Sequence, residues 1–288
     1  MRFSTIVRDG DRVGAVRVED RWVPFTELGA GSASDLYALI AGSPTRRQLD
    51  ALHETARSVG ADRTVAADDV EWAAPYPRPR KIWGIGLNYA EHAADLEADY
   101  PEQPASFIKA DHTIIGYGDD IPLPTQSSRV TSEAELGLII GRECRDVDEH
   151  DALEVLFGVC PILDQTAEDI LQLNPRYLTR SKNFPGFFSF GPEIVTIDEV
   201  LNDSGTLDDV VVSTIRNGEV IRSQPVRNMR HGPEALVSFH SRMMPLFPGD
   251  VISTGTPGAA VIRDGDVMES HIEGLSVLRN PVRAAAGT

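Results

Sequence analysis

This 288-residue chain is predicted to be an α+β protein dominated by β-structure, on three observations. First, most apolar runs beyond residue 75 are short, rich in Val and Ile, and bounded by Pro, Gly or Asp: SFIK, LGLIIG, FGVCPIL, EIVTI, DVVVSTIRNGEVI, GDVISTG and DVMESHIEGLSVL. Such runs read as strands, because branched side chains suit a pleated surface and the bounding residues suit turns. Second, the longer helical signals fall in two places, from Ala33 to about Val59 and from Gly232 to Met244. Third, a hydrophobic content of 41% in a chain of 31.4 kDa is ample for one substantial core.

The elements follow in order. MRFSTIVRDGDRVGAVRVEDRWVPF alternates apolar and polar positions around a turn-forming DGD, the pattern of a β-hairpin. The polar helical stretch after it is interrupted between Gly42 and Pro44. EWAAPYPRPRK, with Pro75, Pro77 and Pro79, reads as a stiff linker. Residues 1–74 are therefore expected to form a small N-terminal α/β domain with its linker, and residues 75–288 a catalytic domain. In the Gly232–Met244 helix, Pro233 suits the first turn and Glu234 lies near the positive end of the helix dipole. There is no internal repeat and no low-complexity tract.

Charge narrows the partners. A net charge of −17 argues against nucleic acid and anionic membrane surfaces. No charged-then-apolar leader opens the sequence, and no apolar run approaches the eighteen or so residues of a membrane helix, so a soluble cytoplasmic protein is expected. Lys81, Lys109 and Lys182 are the only lysines beside 24 arginines, a usage that fits either genome composition or a salty cytoplasm. Cys144 and Cys160 suit a reducing compartment, and Cys160, inside FGVCPIL, reads as a small core residue rather than a nucleophile.

The chemistry concentrates in two runs. SEAELGLIIG carries Glu133 and Glu135 one residue apart, and FGVCPILDQT carries Asp164 at the end of its apolar stretch. On a strand Glu133 and Glu135 project to one face while Ala134, Leu136 and Leu138 take the other. Two carboxylates beside a strongly apolar continuation need neutralising, because unpaired buried carboxylates are very costly. A hard cation would do it: three carboxylates leave about three of six octahedral positions open, the usual way of holding Mg²⁺ or Mn²⁺ at a catalytic site. The triplet alone fits equally well a Glu133 facing solvent and a Glu135 meeting an arginine.

Five blocks taken together point further. KIWGIGLNYAEHAADLEADYPEQPASFIK, EAELGLIIG, LDQTAED, SKNFPGFFSFGP and STGTPGAA occur in an order and spacing that resemble the fumarylacetoacetate hydrolase family, over about Tyr76 to Val282. The resemblance implies a mixed β-sandwich roll for the catalytic domain, a small N-terminal domain before it, and a homodimer. It also implies an Mg²⁺- or Mn²⁺-dependent hydrolase that cleaves a carbon–carbon bond in a small β-oxo or 2,4-dioxo acid of the acylpyruvate or fumarylacetoacetate type. Decarboxylases, isomerases and lyases occur on the same scaffold. The reading from a different class is a non-catalytic metal-binding protein.

Individual residues then take expected roles. His92, in NYAEHAAD, follows the glycine-bearing GIGLNY, where a short helix can act as a lid; Asp95, three positions on, would face it and hold one ring nitrogen. The other reading is a surface histidine on a mobile helix. In the family this histidine pairs with a glutamate three residues later to activate water, and Asp95 is one methylene shorter. Lys182 sits among aromatics and a proline, where a lysine needs a charged partner; its family counterpart stabilises charge developing on the substrate. Lys109 reads as a strand residue with a surface or ion-pair role. Thr254 and Thr256, in STGTPG, lie where glycine and proline expose N–H and hydroxyl donors, and the family binds substrate with a threonine there, although its usual glycine two residues after the proline is Ala259. Where the family places an arginine four residues after the metal aspartate and a glutamine a few further on, this chain has Glu168 and, without a gap, Leu171. Gln172 would serve through a one-residue insertion, and Arg176 or Arg180 would supply the guanidinium. The expected consequence is an altered substrate preference.

Overall fold

The computed structural model describes residues 1–29, 33–90, 101–201 and 205–284. Two sheets, one of fourteen strands and one of five, make up the β-structure. At the centre of the larger sheet lies a long antiparallel pair, Val130–Ile140 and Leu156–Ala167, and every residue of both strands is buried. Burial on both faces is why these two runs read as nearly continuous apolar stretches rather than as alternations.

Strand parity sorts the side chains of this pair. Ala134, Leu136, Leu138 and Ile140 enter the main core together with Val212, Met268, Ile272 and Leu278 of the five-stranded sheet. Ile139, Cys160 and Ile162 enter a second core on the opposite face, against Phe188 and Phe190. Cys160 is thus the core residue expected, and burial pushes its thiol well above the ordinary range.

The N-terminal hairpin forms as the DGD turn predicts. Arg2–Arg8 and Asp11–Val18 pair antiparallel around Asp9 and Gly10, both at positive φ. The first strand also pairs with Glu193–Thr196, which in turn pairs with Leu156–Ala167. Phe3, Val16, Leu36, Ile40 and Leu49 share the second core with Phe157, Cys160 and Ile162. Residues 1–74 are therefore joined to the rest of the chain by both a sheet and a core.

The predicted helical stretches also appear, with their caps. Leu36–Ala41 is capped by the Asp35 side chain, and Arg46–Arg57 by a reciprocal capping box between Thr45 and Gln48. Pro233–Met243 starts with its proline in the first turn and buries Leu236 and Val237 in the main core. Among the described residues no helix is long and apolar enough to cross a membrane.

Candidate metal centre

The register of the central pair builds the site. Glu133 stands directly opposite Asp164, so the two project to the same face, and Glu135 follows on that face two residues along. One oxygen from each carboxylate lies within 4.8 Å of the other two. All three side chains are buried, Asp164 completely.

Two ammonium groups meet these carboxylates. Lys182, the last residue of the short helix Leu178–Lys182, donates from Nζ to Glu133 Oε2 at 2.8 Å and to Asp164 Oδ2 at 2.7 Å. Its Nζ stands 4.7 Å from the centre of the Phe107 ring. Lys109 closes the edge strand Ala105–Lys109 and is only 3% exposed. Its Nζ donates to the carbonyls of Gln165, Lys182 and Phe187 at 3.2, 2.6 and 2.6 Å. Its Nζ also stands 2.6 Å from Asp164 Oδ1, so four acceptors share its three protons. Lys109 lies on a strand and in an ion pair, as expected, but deep in the site rather than at the surface.

Glu135 is held from the other side. Its Oε2 accepts from Ser253 Oγ at 2.5 Å and from the Gly255 N–H at 2.9 Å. Gly255 adopts φ +94°, and a Cβ there would come within 2.8 Å of Asn88 Cβ, so only glycine fits this close turn. Burial pushes the Glu135 carboxyl up to about 8; Asp164 and Glu133 add to the shift, and Lys182 and the Ser253 hydroxyl oppose it. Burial likewise brings Lys109 down to about 8 against the pull of Asp164. Burial would lower Lys182 as well, but Asp164, Glu133 and Glu135 more than offset it and hold its ammonium above the usual range.

This donor set fits a divalent ion. Three carboxylates against two ammoniums leave an excess negative charge in a buried place, which is costly until something positive joins it. The raised Glu135 carries that cost. Each carboxylate also keeps one oxygen that accepts no hydrogen bond from any described residue. Hard oxygen donors of this kind suit Mg²⁺ or Mn²⁺.

Other expected site residues lie elsewhere or act differently. His92 and Asp95 fall outside the described residues. Thr254 Oγ1 donates to the Leu136 carbonyl at 2.9 Å and Thr256 Oγ1 to the Gly258 carbonyl at 3.1 Å, which leaves each hydroxyl oxygen as an acceptor. A tight turn satisfies its own buried donors first, and what this one presents to the site is the Gly255 N–H. Glu168 is paired with Arg129, and Gln172 Nε2 reaches Glu168 Oε1 at 3.3 Å. Arg180 is exposed on its helix. Along the carboxylate face the next cross-strand pair is Thr131 with Thr166, and beyond it stand Arg129 and Glu168. Thr166 Oγ1 is buried without a partner.

Sequence reasoning missed four participants: Lys109 as a member of the site, Ser253, Gly255 and Arg129. One signal was available. A chain with only three lysines ion-pairs each with a buried aspartate, Lys81 with Asp250 and the other two with Asp164.

Comparison with known proteins gives the family. The family described as fumarylacetoacetate (FAA) hydrolase C-terminal matches residues 81–283. The mitochondrial oxaloacetate tautomerase of Xenopus laevis is 32% identical over 227 residues, which cover 76% of this chain and 70% of that protein. The fumarylacetoacetate hydrolase of psychrophilic Exiguobacterium antarcticum superposes with a TM-score of 0.83 at 31% identity, over 99% of this chain and all of that one. The 5-carboxymethyl-2-hydroxymuconate delta-isomerase of Mycobacterium smegmatis superposes with a TM-score of 0.78 at 29% identity, over the full length of both. Matched by the family's own pattern from residue 81 to residue 283, and folded like its members from end to end, the chain belongs to the fumarylacetoacetate hydrolase family.

Proposed function

We propose that this protein is a divalent-metal-dependent enzyme that hydrolyses a carbon–carbon bond in a β-oxo or 2,4-dioxo acid. The observation that carries the reading is the buried convergence of Glu133, Glu135 and Asp164 with Lys182 bridging two of them. Held by these carboxylates, Mg²⁺ or Mn²⁺ would supply Lewis acidity to the adjacent oxo and carboxylate oxygens of such an acid. With all three carboxylates ionised around it and the two ammoniums counted, the ion would leave the site with one net positive charge, which suits an anionic substrate.

Lys182 supplies the directed charge. Two of its protons are held by Glu133 and Asp164, and no described residue accepts the third. That proton can be given to the substrate oxygen on which negative charge grows as the bond breaks, an electrostatic contribution of a few kcal/mol in comparable sites. The rest of the substrate would lie along the same face, over Thr131 and Thr166 towards Glu168. At about 3.3 Å per residue, Arg129, the residue before the strand, stands roughly 13 Å from Glu133, so a tail of several carbons is accommodated before the Arg129–Glu168 pair is reached. For hydrolysis, His92 would take the proton from the attacking water, with Asp95 as its partner.

The second reading is keto–enol tautomerisation or double-bond isomerisation. It is favoured by the similarity to an oxaloacetate tautomerase and to a delta-isomerase. Those reactions draw on the same charge stabilisation but need no activated water. Turnover of acylpyruvates, fumarylpyruvate and oxaloacetate, with and without Mg²⁺ or Mn²⁺, separates the two. Pyruvate release from an acylpyruvate supports hydrolysis. A change in the enol absorbance of oxaloacetate without cleavage of any member supports tautomerisation, and a bound ion with no turnover at all defeats both. His92→Ala should lower hydrolytic kcat by roughly 10²–10⁴, the usual worth of a positioned base.

A further inference from the structure

Lys109 is as buried as the carboxylates beside it, yet in the proposed site it has no proton to give a substrate. Its N–H groups go to carbonyls from three separate pieces of chain. Gln165 follows Asp164 on the central strand. The Lys182 carbonyl ends the last turn of its helix, where carbonyls lack partners within the helix. Phe187 precedes Phe188–Phe190, the strand that pairs Phe188 with Asp164. The neighbours of Lys109 reinforce the join: Asn183, next to Lys182, accepts from the Ala110 N–H at 2.8 Å and donates to the Ile108 carbonyl at 3.0 Å.

We propose that Lys109 is a positioning residue that fixes Lys182 and Asp164 relative to each other, so that the third proton of Lys182 points into the site. This rests on the proposed function. The arrangement divides the work between two lysines. Lys182 keeps a donor for the substrate. Lys109 spends its donors on the scaffold carbonyls and on Asp164 Oδ1, 2.6 Å away. Without its ammonium, the Gln165 and Lys182 carbonyls would lose this donor, the Phe187 carbonyl would keep only the Gln165 N–H, and the backbone at both Asp164 and Lys182 would be freed to shift. Because displacements on the order of 1 Å in a site are felt strongly in turnover, the effect of Lys109 should pass through Lys182.

A double-mutant cycle with the manganese-loaded protein tests this. On a substrate the unaltered protein turns over, Lys109→Met should lower kcat by roughly 10–100-fold with KM changed less than about threefold, whereas in a Lys182→Met background it should add no more than about twofold. Equal losses in the two backgrounds would mean that Lys109 acts on its own or on the fold alone, and would overturn the proposal. Lys109→Gln, which keeps two donors, stands in if Lys109→Met does not fold and should show a smaller loss in the same pattern. The electron paramagnetic resonance line shape of bound Mn²⁺ is the readout that does not need activity. It should change in both variants at unchanged stoichiometry, because Asp164 is held differently. If the unaltered protein turns over no oxo acid, the proposed function fails by itself and the spectrum still decides: an unaltered Mn²⁺ signal in both variants overturns the role of Lys109.

Discussion

Lys182 Nζ lies 2.7 Å from Asp164 Oδ2, and that contact places Asp164 at the hub of the site, since its other oxygen faces Lys109. Removing Asp164 therefore takes away one oxygen ligand and the shared anion of two buried ammoniums. Titration with Mn²⁺ should show about one site per chain, as three carboxylates on one hard cation imply. Asp164→Ala should abolish most of that binding in a calorimetric titration. Retained affinity in the variant would rule out the assignment.

Lys182 makes a different prediction, because its ammonium sits between two of the ligands as a competing cation. Lys182→Met should lower kcat by about 10²–10³, the loss typical of removing one donor to developing charge. Its affinity for Mn²⁺ should be equal to or tighter than that of the unaltered protein. Weaker binding would show that the ammonium organises the carboxylates instead of competing for them.

Much of this site was legible because strands have a period of two. ExE on a strand places both glutamates on one face whatever the fold, and the alternate residues Ala134, Leu136 and Leu138 do enter the core. That Asp164 stands opposite Glu133 was not legible from spacing, because register belongs to a pair of strands and neither states its partner. Lys109 was misjudged in depth for a related reason: its strand is at a sheet edge, and edge position says nothing of a long side chain turned inward beneath it. Thr254 and Thr256 were read from turn chemistry that identifies donors but not the acceptors the turn itself provides. The N-terminal hairpin announced itself through DGD, whereas its pairing with Glu193–Thr196 depends on residues far along the chain.

That pairing carries a stability prediction. Arg2 Nη1 donates to Glu193 Oε1 at 2.6 Å, and Glu193 is fully buried with its Oε2 lacking any hydrogen-bond partner. Arg2→Met would leave a buried carboxylate without its cation, a loss of about 3 kcal/mol for a partly exposed partner of a buried pair. Thermal unfolding followed by circular dichroism should fall by roughly 6–10 °C for a chain of this size. Glu193→Gln in the same chain should restore part of it, as coupled pairs do. Because the hairpin shares a sheet and a core with the catalytic residues, unfolding should remain a single transition; two separated transitions would show residues 1–74 to be an independent unit.

The last prediction concerns selectivity at the far end of the carboxylate face. Glu168 stands where the family resemblance implies an arginine, and it holds Arg129. The guanidinium is therefore present but paired, and Arg129 and Glu168 together carry no net charge to attract a second substrate carboxylate. Glu168→Gln keeps the shape and removes the anion, which frees the Arg129 guanidinium to receive a carboxylate. The ratio of kcat/KM for dicarboxylic over monocarboxylic oxo acids should then rise by the worth of a charge-assisted hydrogen bond, about 1.5–3 kcal/mol. Arg129→Met tests the same relation from the other partner: it leaves Glu168 unpaired near the pocket and should shift the ratio the opposite way, since like charges repel. If both variants keep the substrate ranking of the unaltered protein, the Arg129–Glu168 pair lies beyond the reach of the substrate and its contribution is to stability alone.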